Sequence, residues 1–402
     1  MLRILLSSFL ASSLLSAVTI DELVKNSFEK NYDLKSLNKS IQVANEQIKV
    51  SKNWENPMLA FKTNNIGLNK PLSNQKEYGV ELSQVIPIGR TLDIEENIAK
   101  KDRNIKQFDL EDKKLELESK IYEYSYNILI LEKRYKLIEN YLKNIEKLEE
   151  LYSSLYKYQK ASLNEVLNTK VSYLDLKLEL DNLKTMIDNL YLNLELISYE
   201  KVESIDENVD IKEINKAFIN QELIITHPKI KTLEEDSSKY KEMASLEEAK
   251  KYSNVTLSVE YMQNDEQDYG NVTVGIPLPL YKTENINALK AKLNSNETND
   301  KLDSFIHNLS LQINIYLNNL NQSARNYKLI QKEIIPLKQK IQTNIENYNS
   351  FDMVKPEESI KNLNELITYE TKALDEALKY YESYSQLIYF TNKGLKWLKY
   401  WY

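Results

Sequence analysis

Cysteine is absent from the 402 residues of this chain. That excludes disulfides, thiolate metal sites and a lipid-modified N-terminal cysteine, and it is compatible with the periplasm without requiring it. Only 6 glycines and 8 prolines punctuate the chain, so most of it must form long uninterrupted elements. The 2 histidines, His227 and His307, lie far apart and in no metal-ligand spacing; each reads as a surface or capping residue. No Ser/His/Asp arrangement, phosphate loop or metal cluster is visible, which argues against an enzyme and gives no reason to expect a cofactor. The net charge of -7, without a Lys/Arg stripe interleaved with aromatics, argues against nucleic acid as a partner. After the N-terminus no stretch approaches the roughly 18 consecutive apolar residues of a membrane-spanning helix.

What is present favours extended helices: Leu, Lys, Glu, Asn, Ile and Tyr dominate. Residues 1–17 read as a secretory signal, with Arg3 as the positive end and Ile4 to Leu15 as a short apolar core. Cleavage is expected after Ala17, although Leu15 is not the small residue preferred three positions earlier. The mature protein is therefore expected to leave the cytoplasm without a spanning helix.

The chain also repeats itself. Leu34, Leu37, Leu59 and Phe61 mark helix turns followed by a strand, and the pattern returns 196 positions later as Ile230, Leu233, Val255 and Leu257. Each copy then reaches an Ile-Pro step, Ile86-Pro87 and Ile276-Pro277, and runs on into a long helical stretch. The first repeat is assigned to 18–210, with strands at 58–63 and 78–86, and the second to 211–402, with strands at 254–263 and 270–278. Val255, Leu257, Val259 and Tyr261 alternate with Thr256, Ser258 and Glu260; Val80 and Leu82 alternate with Glu81 and Ser83. Period-two alternation gives one apolar and one polar face. Two structures satisfy it: an amphipathic hairpin lying on helices, or part of an outer-membrane barrel wall. Four strands cannot close a membrane barrel, since the smallest have about eight, so in the second case several chains must share one; three would give twelve strands.

Between the strand pairs the hydrophobic period lengthens. Leu117, Ile121, Tyr124, Ile128, Leu131, Tyr135, Ile138, Leu142 and Ile145 keep an unbroken four-three spacing, and Leu180, Leu183, Ile187, Leu190, Leu194 and Ile197 repeat it on the way back. In the second copy Ile306, Leu309, Ile313, Tyr316, Leu320, Tyr327, Ile330, Ile334, Leu337 and Ile341 form a seam interrupted by Ser323. Such seams argue for coiled-coil packing. Two antiparallel helical hairpins per chain, each rooted in a strand pair, look like staves of a hollow cylinder. Pro336 is expected to bend the second rod or break its hydrogen bonding locally. The hairpins turn near Tyr158 to Ser162 and near Tyr348 to Pro356; Ser162 with Glu165 makes a capping box, and Pro356 with Glu357 and Glu358 is a good helix start.

These residues bring a resemblance into view. Glu55-Asn56-Pro57-Met58-Leu59, Ile86-Pro87-Ile88-Gly89, Gly275-Ile276-Pro277-Leu278, Ile335-Pro336, His227-Pro228-Lys229-Ile230 and the tip Tyr158 to Leu167 are similar, in order and spacing, to the TolC-like outer-membrane efflux proteins. The family-like structural motif is Asn56, Pro57, Pro87, Gly89, Pro277 and Pro336. The resemblance implies a mainly helical chain with a small β part: duplicated hairpins forming a periplasmic α-barrel, and four strands per chain in a trimeric twelve-stranded β-barrel in outer-membrane lipid. It further implies a homotrimer serving as the passive exit duct for a periplasmic adaptor and an inner-membrane transporter, the RND type among the candidates, in a Gram-negative bacterium. Tyr158, Ala161, Ser162, Tyr348 and Phe351 would then sit at the tips, as candidates for adaptor contact. The glycine usual at the tip is replaced by Ala161 in the first copy and Phe351 in the second. Family members can carry acidic rings near the second tip; Asn364 falls at or beside one such place, and Asp352, Glu357, Glu358 and Glu365 are the local acids that would serve instead or be plain solvated helix-start residues.

Two other readings stay open. A periplasmic adaptor also carries a long helical hairpin, but normally one, inserted in a glycine-containing β domain. A coiled-coil scaffold would have no use for alternating strands at matching places in both copies. The closing aromatics Trp397, Tyr400, Trp401 and Tyr402 read as an interfacial anchor or, preferably, as a tail packed on the wall behind a helix over Leu387 to Leu398.

Overall fold

The structure, a computed structural model, describes residues 18–64, 77–216, 225–252, 254–264, 266–349 and 356–392. The signal segment, the connection from Gly67 to Lys76 and the aromatic tail lie outside them. The described residues fall into two compact units, one drawn from Met1–Lys35, Lys113–Ile224 and Leu309–Tyr402, the other from Ser36–Asp112 and Ile225–Asn308.

The first is a hairpin unit. Helix α1 (Ile20–Lys30) opens on a Thr19/Glu22 capping box. Asn31 ends it and starts α2 (Tyr32–Val50): its Oδ1 accepts from Leu34 N at 3.0 Å, while its Nδ2 donates to Ile197 O at 3.0 Å. Helix α3 (Thr91–Lys157) is continuous over 67 residues, about 100 Å at the α-helical rise. Helix α4 (Leu163–Ser198) returns from a turn closed by the expected Ser162/Glu165 capping box. Leu131 and Ile138 of α3 pack with Leu180 and Leu183 of α4 in one buried cluster, as the four-three spacing requires.

The other rod consists of α6 (Thr283–Leu329), a π-helical turn (Ile330–Ile334) and α7 (Ile335–Asn349), and is answered by α8 (Pro356–Phe390). Pro336 explains the π turn. Its missing N–H and its ring are incompatible with a regular α-turn around residue 332, and the wider turn, in which Ile335 N bonds Ile330 O, relieves the conflict without ending the helix. The extra residue also rotates the seam. Leu337 and Ile341, read above as seam positions, are 63% and 44% exposed, while Ile335, Gln342 and Ile345 are buried.

Within this unit the helices lie in the order α4, α3, α8, then α6 and α7. Arg134 on α3 fixes part of that order. Its Nη2 donates to Glu179 of α4 at 2.8 Å, and its Nη1 to Asp375 of α8 at 2.9 Å. Asn326 of α6 donates to Glu376 of α8 at 3.1 Å, and Lys338 of α7 pairs with Glu365 of α8. One planar guanidinium reaches both neighbours of its helix, with Nε and Nη2 on Glu179 and Nη1 on Asp375 in a fixed fork that a flexible ammonium does not reproduce. Arg134→Ala is expected to cost about 1–2 kcal/mol, since all three groups are partly exposed. Arg134→Lys should recover less than half, as read by thermal denaturation.

A strap over 200–216 crosses α8 and α6. Tyr381 Oη donates to Asp210 O at 2.9 Å and Tyr380 Oη to Lys212 O at 3.0 Å; Asn321 bonds Ile214 N and O at 2.8 and 2.9 Å. Tyr126 stacks on Tyr381 at 3.6 Å between ring centroids. Burial raises the Tyr380 hydroxyl to about 12, so these phenols stay neutral hydrogen-bond donors.

The second is a strand unit. Here α2, α3, α5 (Pro228–Lys250) and α6 form a layer in that order, with Lys52 to Glu96 at 2.9 Å, Lys101 to Glu235 at 2.9 Å and Ser237 Oγ to Asn299 at 2.6 Å. His227 is buried as the N-cap of α5, its Nδ1 accepting from Lys229 N at 3.1 Å; of the two readings given to it, capping holds and surface placement does not. Strands β1 (Met58–Asn64), β2 (Glu77–Pro87), β3 (Asn254–Asn264) and β4 (Tyr269–Gly275) form one antiparallel sheet in chain order. The central ladder joins β2 to β3 over their full 11 residues, from Glu77 opposite Asn264 to Pro87 opposite Asn254. β4 stops at Gly275, short of the expected 278, where Ile276-Pro277 removes the next ladder donor.

Candidate functional site: the strand wall, the layer edges and the hairpin turns

The register sorts the strand residues into two faces. Leu59, Leu82, Val259 and Val272 form one row across all four strands, and Phe61, Val80, Tyr261 and Gly270 form the next. This apolar face carries no charge and is the exposed one, with Phe61 at 82% and Val272 at 71%. On the other face lie Met58, Ser83, Ser258 and Thr273, then Ala60, Glu81, Glu260 and Asn271, then Lys62, Gly79, Met262 and Tyr269. Lys62 pairs with Glu81 and stands 3.7 Å from Glu260. A water-soluble sheet buries its apolar face; this sheet leaves its apolar face exposed. The inner strands, at 11 residues, have the length of a tilted membrane-spanning strand, about 9–11 residues.

Both outer strands, β1 and β4, have one unpaired edge. The helical layers end in the same way. In the hairpin unit α4 presents Leu163, Leu167, Val171, Leu174 and Leu178 on the side away from α3, and α6 with α7 presents Leu311, Ile315, Leu337 and Ile341 away from α8, all exposed. In the strand unit α2 exposes Val43 and Val50, and α6 exposes Ile286, Leu289 and Leu293. The strand unit also encloses a recess of about 980 Å³, reached by Gln47 of α2, Asp102 and Lys106 of α3, Glu247 of α5 and Lys290 of α6, so that charges of both signs share one hollow.

At the first hairpin turn Tyr158 and Ser162 are exposed and Ala161 is half-buried. The left-handed residue is Gln159, φ 59°, held by Lys160 N to Leu155 O at 2.9 Å. Ala161 has no positive φ, so an alanine sits at the expected tip position without backbone strain. The second turn lies outside the described residues, as do Phe351, Asp352 and the side chains of Tyr348, Glu357 and Glu358. Glu365 is described, and it faces Lys338, whose hydrogen bond holds its carboxyl below the usual range. Asn364 is exposed beside it. Asn56 and Pro57 lie in the link from α2 to β1, where Gln84 Nε2 donates to Glu55 O at 2.9 Å. Pro87 closes β2, Gly89 and Arg90 (φ 73° and 62°) turn the chain into α3, and Pro277 follows β4. Among the described residues no group of acids and histidines is placed to hold a metal ion, and no helix is long and apolar enough to cross a membrane.

Sequence reasoning placed Glu81, Ser83, Ser258 and Glu260 on polar strand faces but did not bring Lys62 to the two glutamates. That convergence depends on β2 pairing with β3, a long-range choice between the two repeats. It also missed Arg134 and the tyrosines under the strap; the adjacent Tyr380 and Tyr381, at a helix position where one of the two must face inward, were the available signal.

The strand unit thus presents an open four-stranded sheet whose apolar face is exposed and whose two outer strands each have an unpaired edge. Known structures agree on the fold. The chain superposes on CusC, whose report concerns transmembrane channel formation, with a TM-score of 0.79 and 13% identity, over 94% of this chain and 92% of that one. It matches the CmeC outer membrane channel of Campylobacter jejuni with a TM-score of 0.78 and 12% identity, over 93% and 86%. The MtrE outer membrane channel of Neisseria gonorrhoeae, in its open state, gives 0.78 and 14%, over 94% and 89%. By sequence, no protein-family model and no curated protein matches the chain. The chain has the fold of the TolC-like outer-membrane channels.

Proposed function

We propose that this chain is the outer-membrane exit duct of a tripartite efflux or secretion system in a Gram-negative bacterium. The observation that carries the proposal is the inverted sheet with two open edges. In hydrocarbon an unpaired strand edge costs several kcal/mol per group, so β1 must pair with β4 of another copy. The helical edges support the same head-to-tail assembly: the apolar stripe of α4 in one copy meets that of α6 and α7 in the next, and the stripe of α2 meets that of α6. Three copies close a twelve-stranded barrel, the assembly implied by the TolC-like fold. Most of the mass then stands in the periplasm, where the hairpin turns at Tyr158, Ala161, Ser162, Tyr348 and Phe351 face a periplasmic adaptor. The duct does no covalent chemistry. An inner-membrane transporter supplies the energy and selects the substrate, and the duct conducts it passively through a water-filled path.

Of the entrance acids, Asp352, Glu357 and Glu358 are the ones proposed to form a cation-attracting ring, because Glu365 is already neutralised by Lys338. The test is the mass of the detergent-extracted protein together with its conductance in planar bilayers. Trimers giving discrete channels, with cation preference reduced by Glu357→Gln and Glu358→Gln, are the expected result. A water-soluble monomer or dimer without conductance would overturn the reading and favour an adaptor or a coiled-coil scaffold.

A further inference from the structure

Every charged side chain on the described strands lies on the polar face of the sheet. These are Lys62 on β1, Glu77 and Glu81 on β2 and Glu260 on β3. Two of the carboxylates, Glu81 and Glu260, flank the Lys62 ammonium. Lys62 pairs with Glu81 and approaches Glu260 to 3.7 Å, and Glu260 in turn accepts from Asn271 Nδ2 of β4 at 3.4 Å. The polar belt thus runs from one open edge of the sheet to the other. It holds one lysine against two glutamates, an excess of one acidic side chain. Met262, fully buried over Gly79, and the small Ser83 and Ser258 flank it, and none of these brings a compensating charge.

We propose that this belt is the charge filter of the strand barrel: around a closed ring it forms a net negative collar that favours cationic over anionic solutes at the outer-membrane end. The proposal rests on the duct reading. Its physical basis is the low-dielectric wall on the far side of the sheet, which confines the field of uncompensated carboxylates to the lumen. An ion-pair cluster that served only to hold strand register would bind the same strands but would leave solute traffic indifferent to charge.

The chain contains no cysteine, so single thiols can report the local potential. Thr273→Cys lies on the polar face one row from the belt, and Val272→Cys on the apolar face. Full-length protein in lipid vesicles is treated with a trimethylammonium-bearing and a sulfonate-bearing methanethiosulfonate, with rates normalised to a free thiol. At Thr273→Cys the cationic reagent is expected to react faster. The ratio should fall about threefold with Glu260→Gln and rise about threefold with Lys62→Gln, the effect of one charge at neighbouring-row distance after screening. A ratio near unity, or one unmoved by both variants, overturns the charge filter. The opposite signs keep the test decisive if either variant fails to assemble. Val272→Cys should be protected from both reagents; if it reacts as fast as Thr273→Cys, the barrel reading itself fails, separately from the belt.

Discussion

Leu174→Asp with Leu178→Asp is expected to convert the assembled protein into monomers that keep their helix content. Both leucines are more than half exposed in the single chain, on the side of α4 that faces neither α3 nor α8. Substitution therefore removes no contact within the protomer, and α4 still carries Leu180, Leu183 and Leu194 on its buried side. In the ring, each leucine buried against the next copy contributes about 1.5–3 kcal/mol. An aspartate in its place adds the cost of desolvating a charge with no cation opposite, because the facing stripe of Leu311, Ile315, Leu337 and Ile341 is apolar. The loss recurs at every interface of the ring. Mass measurement in detergent beside circular dichroism checks the outcome. Assembly at the wild-type mass would place α4 on the outside of the particle and overturn the proposed ring order.

The second large effect is expected at Gly79. A Cβ there would collide with the Tyr261 carbonyl oxygen and the Met262 sulfur across the β2–β3 ladder. The thioether can move, but the carbonyl belongs to the backbone of the longest strand pairing in the sheet. Gly79→Ala should therefore break the ladder locally, at a cost of about 3 kcal/mol or more, since ladder groups released in lipid find no water. Gly275→Ala is the matched control. Its added Cβ would lie 3.6 Å from Thr256 Cβ, an ordinary contact. The expected readout is the yield of membrane-inserted, heat-resistant oligomer: near wild type for Gly275→Ala and lost for Gly79→Ala. Equal yields for the two would mean that β2 and β3 do not pair in this register.

Much of the architecture was legible because it depends on short-range periodicity. Every residue of the four-three spacing from Leu117 to Ile145 is buried or half-buried, and alternation at Val255 to Tyr261 places the apolar side chains together. The Ser162/Glu165 box needs only two residues three positions apart at the same helix start. The seam failed where a local backbone event intervened. The π turn at Ile330–Ile334 inserts a residue, and from there a fixed period points Leu337 and Ile341 to the wrong side. The site was less legible than the fold. Alternation said which strand residues are polar, yet Lys62 meets Glu81 and Glu260 only once β1, β2 and β3 have aligned.

What this sequence determined by itself is therefore its repeats, the character of its elements and the two faces of each strand. Those properties follow from residues a few positions apart, whose relative directions are set by backbone geometry alone. Tertiary structure decided the pairing of β2 with β3 across the two repeats, the order of helices in each layer and which apolar stripes stay uncovered. It also decided that Glu365 is matched by Lys338, while Glu81 and Glu260 share one lysine. Each depends on residues far apart in the chain, brought together by packing that local periodicity does not encode.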